Sequence, residues 1–355
     1  MKTGRNLQEL AIEITRQATA KRDYLVDTEL MSMSDDGKTF QVKGIEDEFG
    51  INEIAHSQIG QYLEIPARYY NRMAAASPDL LAKNVNHWLH IRAEPEKRML
   101  RTLDGNLRAF LSDRYRRIEN SQVAETVLPI IAKMDGAEVK SCEITDTKMY
   151  IKVVNPRIQS EVRVGDMVQA GIVISNSEVG RGSVSVSPLL YRLVCTNGMI
   201  AQDSGVRRYH IGRVNDADYD MGIFQDETIE ADDRAFLLKV RDAVNAAVDQ
   251  AKFEAIVQQM RDAAEAKIEA KAVPKVVELT SKQYSITDCE HESVLGHLIE
   301  GGDLSLYGVA NAVTRYAQDV DSYDRSTELE ATGYKILTMP PATWKNILSA
   351  ARKEV

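Results

Sequence analysis

Between residues 140 and 212 the hydrophobic pattern runs with a period of two, and this limits the chain more than any other feature. The segments "EVKSCEITDTKMYIKVVN", "VRVGDMVQAGIVISNS", "GSVSVSPLLYRLVCTNGM" and "RRYHIGR" alternate and are rich in β-branched residues, as half-buried strands are. With "SEVGRG" as a loop and Asn197-Gly198 as a turn, the simplest reading is a curved antiparallel meander. The next stretch, residues 231–272, reads as one long helix. Acidic residues crowd its start, which suits the positive end of the helix dipole, and Pro274 marks its end. Leu237, Val240, Val244, Ala247 and Ala251 form an apolar stripe, which Phe253, Val257, Met260, Ala264 and Ile268 continue after a register step. Such a stripe lies against a sheet or another helix.

The flanking regions carry a different rhythm. In the first 130 residues, "AIEITRQATAKRDY" and "HSQIGQYLEIPARYYNRMAAASPDLLAKNVNHWLHIRA" repeat apolar residues every three or four positions, with Pro66 opening a helix. Asp104-Gly105 in "MLRTLDGNLRAFLSD" is a hairpin turn that sets Arg101 and Arg108 on neighbouring strands. "QVAETVLPIIAKMDG" is helical and stops at a glycine. The last 80 or so residues are helical with polar interruptions. The expected class is α+β, an antiparallel β-meander packed on a long helix with helical N-terminal and C-terminal regions. Residues 1–273 would form the core and 274–355 a mainly helical region packed on it.

A chain of 355 residues with 44% hydrophobic and 27% charged residues can bury a substantial core. It contains no apolar run of the roughly 18 residues that a membrane span needs, and "MKTGRNLQELAIEIT" lacks a secretory h-region. The expectation is a cytoplasmic protein with no membrane partner. Cys142, Cys195 and Cys289 are too far apart for a CxxC pattern and read as small buried residues.

Nucleotide chemistry finds no signature, since "EVGRGS" matches neither the P-loop nor the dinucleotide pattern. There is no GxSxG and no HExxH. In "CEHESVLGHLIE", His291 and His297 are six residues apart, about 600° around a helix, so they do not share a face. Asp288 there reads as a helix cap. In "NHWLH", His87 and His90 can face one way but lack a third ligand, and Trp88 between apolar helical positions reads as core or as a base-stacking ring. Asp324 and Glu328 share a helical face in "YDRSTELEATG" and could hold magnesium with a third oxygen ligand, although Arg315 and Arg325 offer simple ion pairing. No catalytic residue, metal site or cofactor is expected.

Arginines interleaved with tyrosines are the more specific pattern. Net charge is −9, yet residues 92–117 carry eight Lys or Arg against four acids, and residues 181–213 carry five arginines against one acid. Residues 226–270 reverse this with eleven acids against six bases, so a basic face on an acidic body is compatible with the pattern. In an extended "RYRRI", Arg114 and Arg116 would share one face, and Tyr115 and Arg117 the other. A buried guanidinium needs an acid, a phosphate or water. Arg101, Arg108, Arg114, Tyr115, Arg116, Arg117, Tyr191, Arg192, Arg207, Arg208, Tyr209 and Arg213 are therefore the candidate nucleic-acid contacts: guanidinium groups for phosphates and aromatic rings for bases.

The segments "NVNHWL", "RTLDGNLRAFLSDRYRRIEN", "LVCTNGMI", "RRYHIGR" and "GVANAVTRYAQDVDSYDRSTELEATG", spread over residues 40–335, resemble the phage- and plasmid-associated family with domain of unknown function 932. The resemblance implies a mobile-element setting and no defined activity. Antiparallel strands followed by a packing helix are also similar in topology to the single-strand annealing recombinases. That likeness implies oligomers holding DNA in a basic groove without nucleotide hydrolysis. The leading expectation is a single-stranded DNA-binding or strand-annealing protein of a phage or plasmid, acting as a homo-oligomer. One alternative is a protein-interaction module that modulates host or replication proteins through residues 231–272. Another is a metal-dependent enzyme acting on nucleic acid through Asp324 and Glu328, with His291.

Overall fold

The computed structural model describes residues 1–91, 96–202, 206–208, 226–246 and 249–353. The meander is present: β7 (Glu138–Ile144), β8 (Met149–Arg163), β9 (Asp166–Asn176), β10 (Val184–Arg192) and β11 (Asn197–Ile200) are successive antiparallel neighbours, and β12 (Val206–Arg208) also pairs with β10. Asn197-Gly198 is not its turn. Both residues lie within β11, opposite Arg192 and Tyr191, and the reversal comes just before them, where Thr196 takes a φ of 51°.

Both faces of this sheet are covered. Met149, Ile151 and Val153 of β8 meet Leu10, Val127 and Val240, from α1 (Leu7–Ala20), α5 (Asn120–Lys133) and α6 (Asp226–Ala246). Val162, Val168, Leu190 and Met199 share a second core with Phe253, Val257, Val276, Val294, Val313, Leu329 and Ile347. These come from α7 (Gln250–Glu265), α8 (Val273–Gln283), α9 (Asp288–Gly301), α10 (Leu306–Tyr316), α11 (Tyr323–Leu337) and α12 (Pro341–Lys353).

The single helix expected over 231–272 is two helices. Asp249 caps α7, its side chain accepting from the Lys252 amide at 2.9 Å, as an N-cap does. Phe236, Val240 and Val244 belong to one core, while Phe253, Val257, Met260, Ala264 and Ile268 belong to the other. The register step in the apolar stripe therefore marks where the chain changes faces of the sheet. Pro274 begins α8 instead of ending a helix, a position its missing N–H tolerates.

Ahead of the meander, which is the second sheet in chain order, stands a first sheet that the periodicity did not reveal. It runs β1 (Arg22–Asp27), β5 (Lys97–Leu103), β6 (Asn106–Ser112), β4 (Phe49–Ile51), β3 (Thr39–Val42) and β2 (Met31–Met33) in spatial order, with β4 and β6 parallel. Beside it, α2 (Glu53–Tyr62), α3 (Ala67–Ala76) and α4 (Pro78–His90) close a core around Phe40, Ile59, Leu81, Val85, Leu100 and Phe110. Asp104-Gly105 is the expected hairpin turn, with both φ angles positive. The outer edge of β2 is covered by side chains of α4. Asn86 accepts from the Met33 amide at 2.7 Å and donates to its carbonyl at 2.9 Å, and His90 Nε2 lies 2.8 Å from the Met31 carbonyl.

Candidate nucleic-acid interface

Arg101 is fully buried. Its Nε donates to Asp23 at 2.9 Å, Nη2 to Glu119 at 2.5 Å and Nη1 to the Glu178 carbonyl at 2.9 Å. A β-bulge in the β5–β6 pairing matches Arg101 with Ala109 and Thr102 with Leu107, which leaves Arg108 unopposed. The Arg108 guanidinium reaches Glu178 Oε2 at 2.7 Å. Lys21 pairs with both Glu119 and Glu178, and the Asn120 amide donates to Glu178 at 2.7 Å. Three cations thus face Asp23, Glu119 and Glu178, so the cluster balances. Burial, with the neighbouring Glu178 charge, pushes the Glu119 carboxyl up despite Arg101. Burial opposes ionisation of Glu178 too, but Arg108, Glu119 and Lys21 together outweigh it and hold that carboxyl down. Glu178 follows β9 and Arg101 lies on β5, so this buried ionic cluster joins the two sheets.

The segment "FLSDRYRRIEN" leaves β6 after Ser112 and turns, so the expected alternation of faces is replaced. Tyr115 and Arg116 are buried together. The Tyr115 hydroxyl donates to the Ser177 carbonyl at 2.9 Å, and Arg116 lies 2.6 and 2.7 Å from Asp232 and Asp233 at the start of α6. Arg114 is exposed, and Arg117 is exposed with Asp23 at 3.6 Å. Arg192 makes a two-pronged contact with Asp166 at 2.6 and 2.8 Å, and Tyr191 beside it is half-buried. Arg207 and Arg208 lie on β12 with side chains outside the described residues, as are Tyr209 and Arg213. Of the candidate contacts whose side chains are described, only Arg114 and Arg117 face open solvent. Acids of the chain itself pair with the buried arginines.

The remaining motifs also resolve into structure. Asp324 accepts from Thr147 at 2.6 Å, Tyr150 at 2.8 Å and Thr145 at 3.0 Å, while Glu328 pairs with Arg325. His291 contacts the Asp288 carbonyl and His297 contacts Asp319. Thr287, not Asp288, caps α9, in a reciprocal pair with Glu290. Among the described residues no group of three or more His, Cys, Asp or Glu converges as a metal site would require. Cys142 is buried, Cys195 half-buried and Cys289 exposed, so the expectation of three buried cysteines holds only for the first. Trp88 is 45% exposed and sits edge-on to His87, so it is a surface ring and not core.

The open surface lies elsewhere, around α2 and α3. A cleft of about 1100 Å³ separates these helices from Thr147 and Arg181, which sit on turns of the second sheet. Gln61 joins it to a cleft of about 530 Å³ beneath Arg98 and the turn at residues 180–182. Tyr62 joins that to a third, of about 610 Å³, lined by Tyr69, Trp88 and Ile91. Ile65 lines both the first and the third. Sharing these wall residues, the three clefts form a track of neighbouring hollows around α2 and α3. Arg181 is exposed and Lys148 packs over Gly182, and among the described residues neither forms an ion pair. Arg98 lies 4.3 Å above the Tyr62 ring and 5.1 Å from that of Phe110, a cation–π arrangement. Within the first cleft His56 Nδ1 is 2.9 Å from the Tyr70 hydroxyl. Burial lowers the His56 pKa and raises that of Tyr70, so both are neutral near pH 7. Glu53 and Glu64 supply the acids along the track.

Sequence reasoning passed over this track because its cations and rings come from four separated segments. The one available signal was Trp88, already singled out as a ring able to stack a base.

A family model described as "Domain of unknown function (DUF932)" matches residues 109–337 of the 355. The chain belongs to the DUF932 family. The DUF932 match takes in the meander, Glu119 and Glu178 of the buried cluster and α5 through α11, and leaves Lys21, Asp23, Arg101, Arg108, α2, α3 and Trp88 ahead of it. It also starts later than residue 40, where the resemblance was first placed. No curated protein and no solved structure shows a significant match. Among the described residues no helix is long and apolar enough to cross a membrane.

Proposed function

We propose that this DUF932 protein binds single-stranded DNA along the track around α2 and α3, in a phage or plasmid, and acts without nucleotide hydrolysis. The observation that carries the reading is the set of three neighbouring clefts with shared walls, with aromatic rings at Tyr62, Tyr69 and Trp88, Arg181 in the lining and Lys148 packed against Gly182 beside it. A single strand needs this combination, rings for bases and cations for phosphates. A duplex hides its base faces, so it gains little from the rings. Strand annealing brings two bound strands together, and a self-associated form of the protein would serve it.

The test is fluorescence anisotropy with a labelled 40-nucleotide single strand and an equal-length duplex across a salt series. The single strand should bind tighter, with affinity falling as salt rises. Trp88→Ala should weaken binding about fivefold or more, the equivalent of roughly 1 kcal/mol for one stacked base, and Arg181→Glu should flatten the salt slope. No binding at low salt, or variants indistinguishable from wild type, would overturn the reading.

A second reading, a protein-interaction module, is favoured by the exposed apolar side chains Tyr69, Leu80, Trp88 and Ile91 on α3, α4 and just beyond. It moves the contact away from residues 231–272, where Val240, Val244, Phe253, Val257, Met260, Ala264 and Ile268 of the apolar stripe are committed to the two cores. Retention of the strand on a Trp88→Ala variant together with a stable complex with a replication protein would favour it.

A further inference from the structure

The middle cleft has a shape that the other two lack. One side is planar and cationic: Arg98 lies over the rings of Tyr62 and Phe110, which are themselves 5.4 Å apart. Another part of the wall is the turn at residues 180–182, where glycines at 180 and 182 leave bare backbone. Gly180 has a φ of +72°, and a Cβ there would meet Leu111 Cδ2 at 2.7 Å. Its absence therefore keeps both the turn and the gap. Gln61 is exposed at the mouth with an amide that carries both donors and an acceptor. Gln58, by contrast, is fully used, accepting from the Phe110 amide and donating to the Val179 carbonyl at 2.8 Å each. At about 530 Å³ the cleft lies within the range of small-ligand sites.

From this geometry we infer that the cleft between Arg98, Tyr62 and the turn at residues 180–182 is a slot for a single unpaired nucleobase. The base stacks on the Arg98 side and hydrogen-bonds the Gln61 amide, while Lys148 and Arg181 hold the adjoining phosphates. The inference rests on the proposed single-strand reading and deepens it. Flat, delocalised cations and aromatic rings favour any base face, whereas one amide able to donate and accept gives only weak choice among bases. The slot therefore discriminates unpaired from paired bases more than it reads sequence.

The experiment compares a base-bearing single strand with an abasic strand of equal length and charge, on the full-length protein and on Gly182→Leu. Gly182 lines the cleft and has no positive φ, and its new Cβ would meet the flexible end of Lys148, at 2.7 Å from Cε, so the variant should fold while crowding the slot at this wall. Lys148→Ala separates the displacement of that cation from the blocking itself. The expected result is an abasic strand bound at least tenfold more weakly than the base-bearing strand by wild type. Gly182→Leu should weaken the base-bearing strand more than the abasic one and so erase much of that preference, whereas Lys148→Ala should weaken both strands alike. A Gly182→Leu protein with an unchanged melting temperature and the full wild-type preference would overturn the slot while leaving the groove reading intact. Failure of wild type to bind either strand at low salt would overturn the groove reading, and the slot with it.

Discussion

The Lys152 ammonium and the Glu330 carboxylate lie 2.6 Å apart, and neither side chain has any exposed surface. Lys152 is on β8 and Glu330 on α11, so the pair joins the sheet to the C-terminal helices. The Tyr323 ring, 4.7 Å from the ammonium, adds a cation–π contact.

Removing either charge alone leaves the other buried without its partner. Lys152→Met or Glu330→Leu is expected to cost about 3–5 kcal/mol of stability. The double variant Lys152→Met with Glu330→Leu should cost well under the sum of the two, since apolar replacement of a buried pair is often close to neutral. Urea denaturation of the four proteins measures the coupling.

Arg101 and Arg114 contrast a buried arginine with an exposed one. Arg101→Leu strips Asp23, Glu119 and the Glu178 carbonyl of their shared donor and should destabilise the protein by about 3–5 kcal/mol. Arg114→Ala, at an exposed position, should change stability by less than about 0.5 kcal/mol. Thermal melts check both. A loss of strand binding in Arg101→Leu that appears only above its lowered melting transition would identify the residue as a support of the fold.

Acid should loosen the end of the chain through Glu290. The Arg325 guanidinium beside it, at 2.7 and 2.8 Å, holds its carboxyl at about 2, below the ordinary 4.5. A depressed carboxyl contributes stability that is present above pH 4.5 and is lost as pH falls from there towards about 2. Arg325 is partly exposed, so after solvent screening the contribution is about 1 kcal/mol. Denaturation free energies between pH 2 and 6 should show a shallower acid limb for Glu290→Gln.

The cap that separates α6 from α7 is a single side chain. Asp249→Ala removes the acceptor for the Lys252 amide and should cost about 1 kcal/mol. Asp249→Asn should retain most of that stability, because its side-chain oxygen can accept the same bond. Chemical denaturation distinguishes the two.

The meander was legible because β8, β9 and β10 are 15, 11 and 9 residues long, enough for a period of two to stand out. By contrast β2 and β4 have three residues each and β3 four, too few for any period to register, so the first sheet was hidden among helical patterns. The hairpin at Asp104-Gly105 was readable from local chemistry alone. Asn197-Gly198 has the same chemistry and was misread, because tertiary pairing with Tyr191 and Arg192 draws both residues into a strand. The basic segments misled for a similar reason. Sequence shows that Arg101, Arg108 and Arg116 need partners, but it does not show that Glu178 and Asp232, more than 60 residues away, provide them.

Asn86 treats Met33 as a neighbouring strand would, offering one acceptor and one donor to the same residue. The first sheet consequently has a sealed end at β2, and only β1 ends it on the other side. A strand arriving at the β2 end would have to displace these side-chain contacts, so that end is guarded against edge-to-edge growth into fibres.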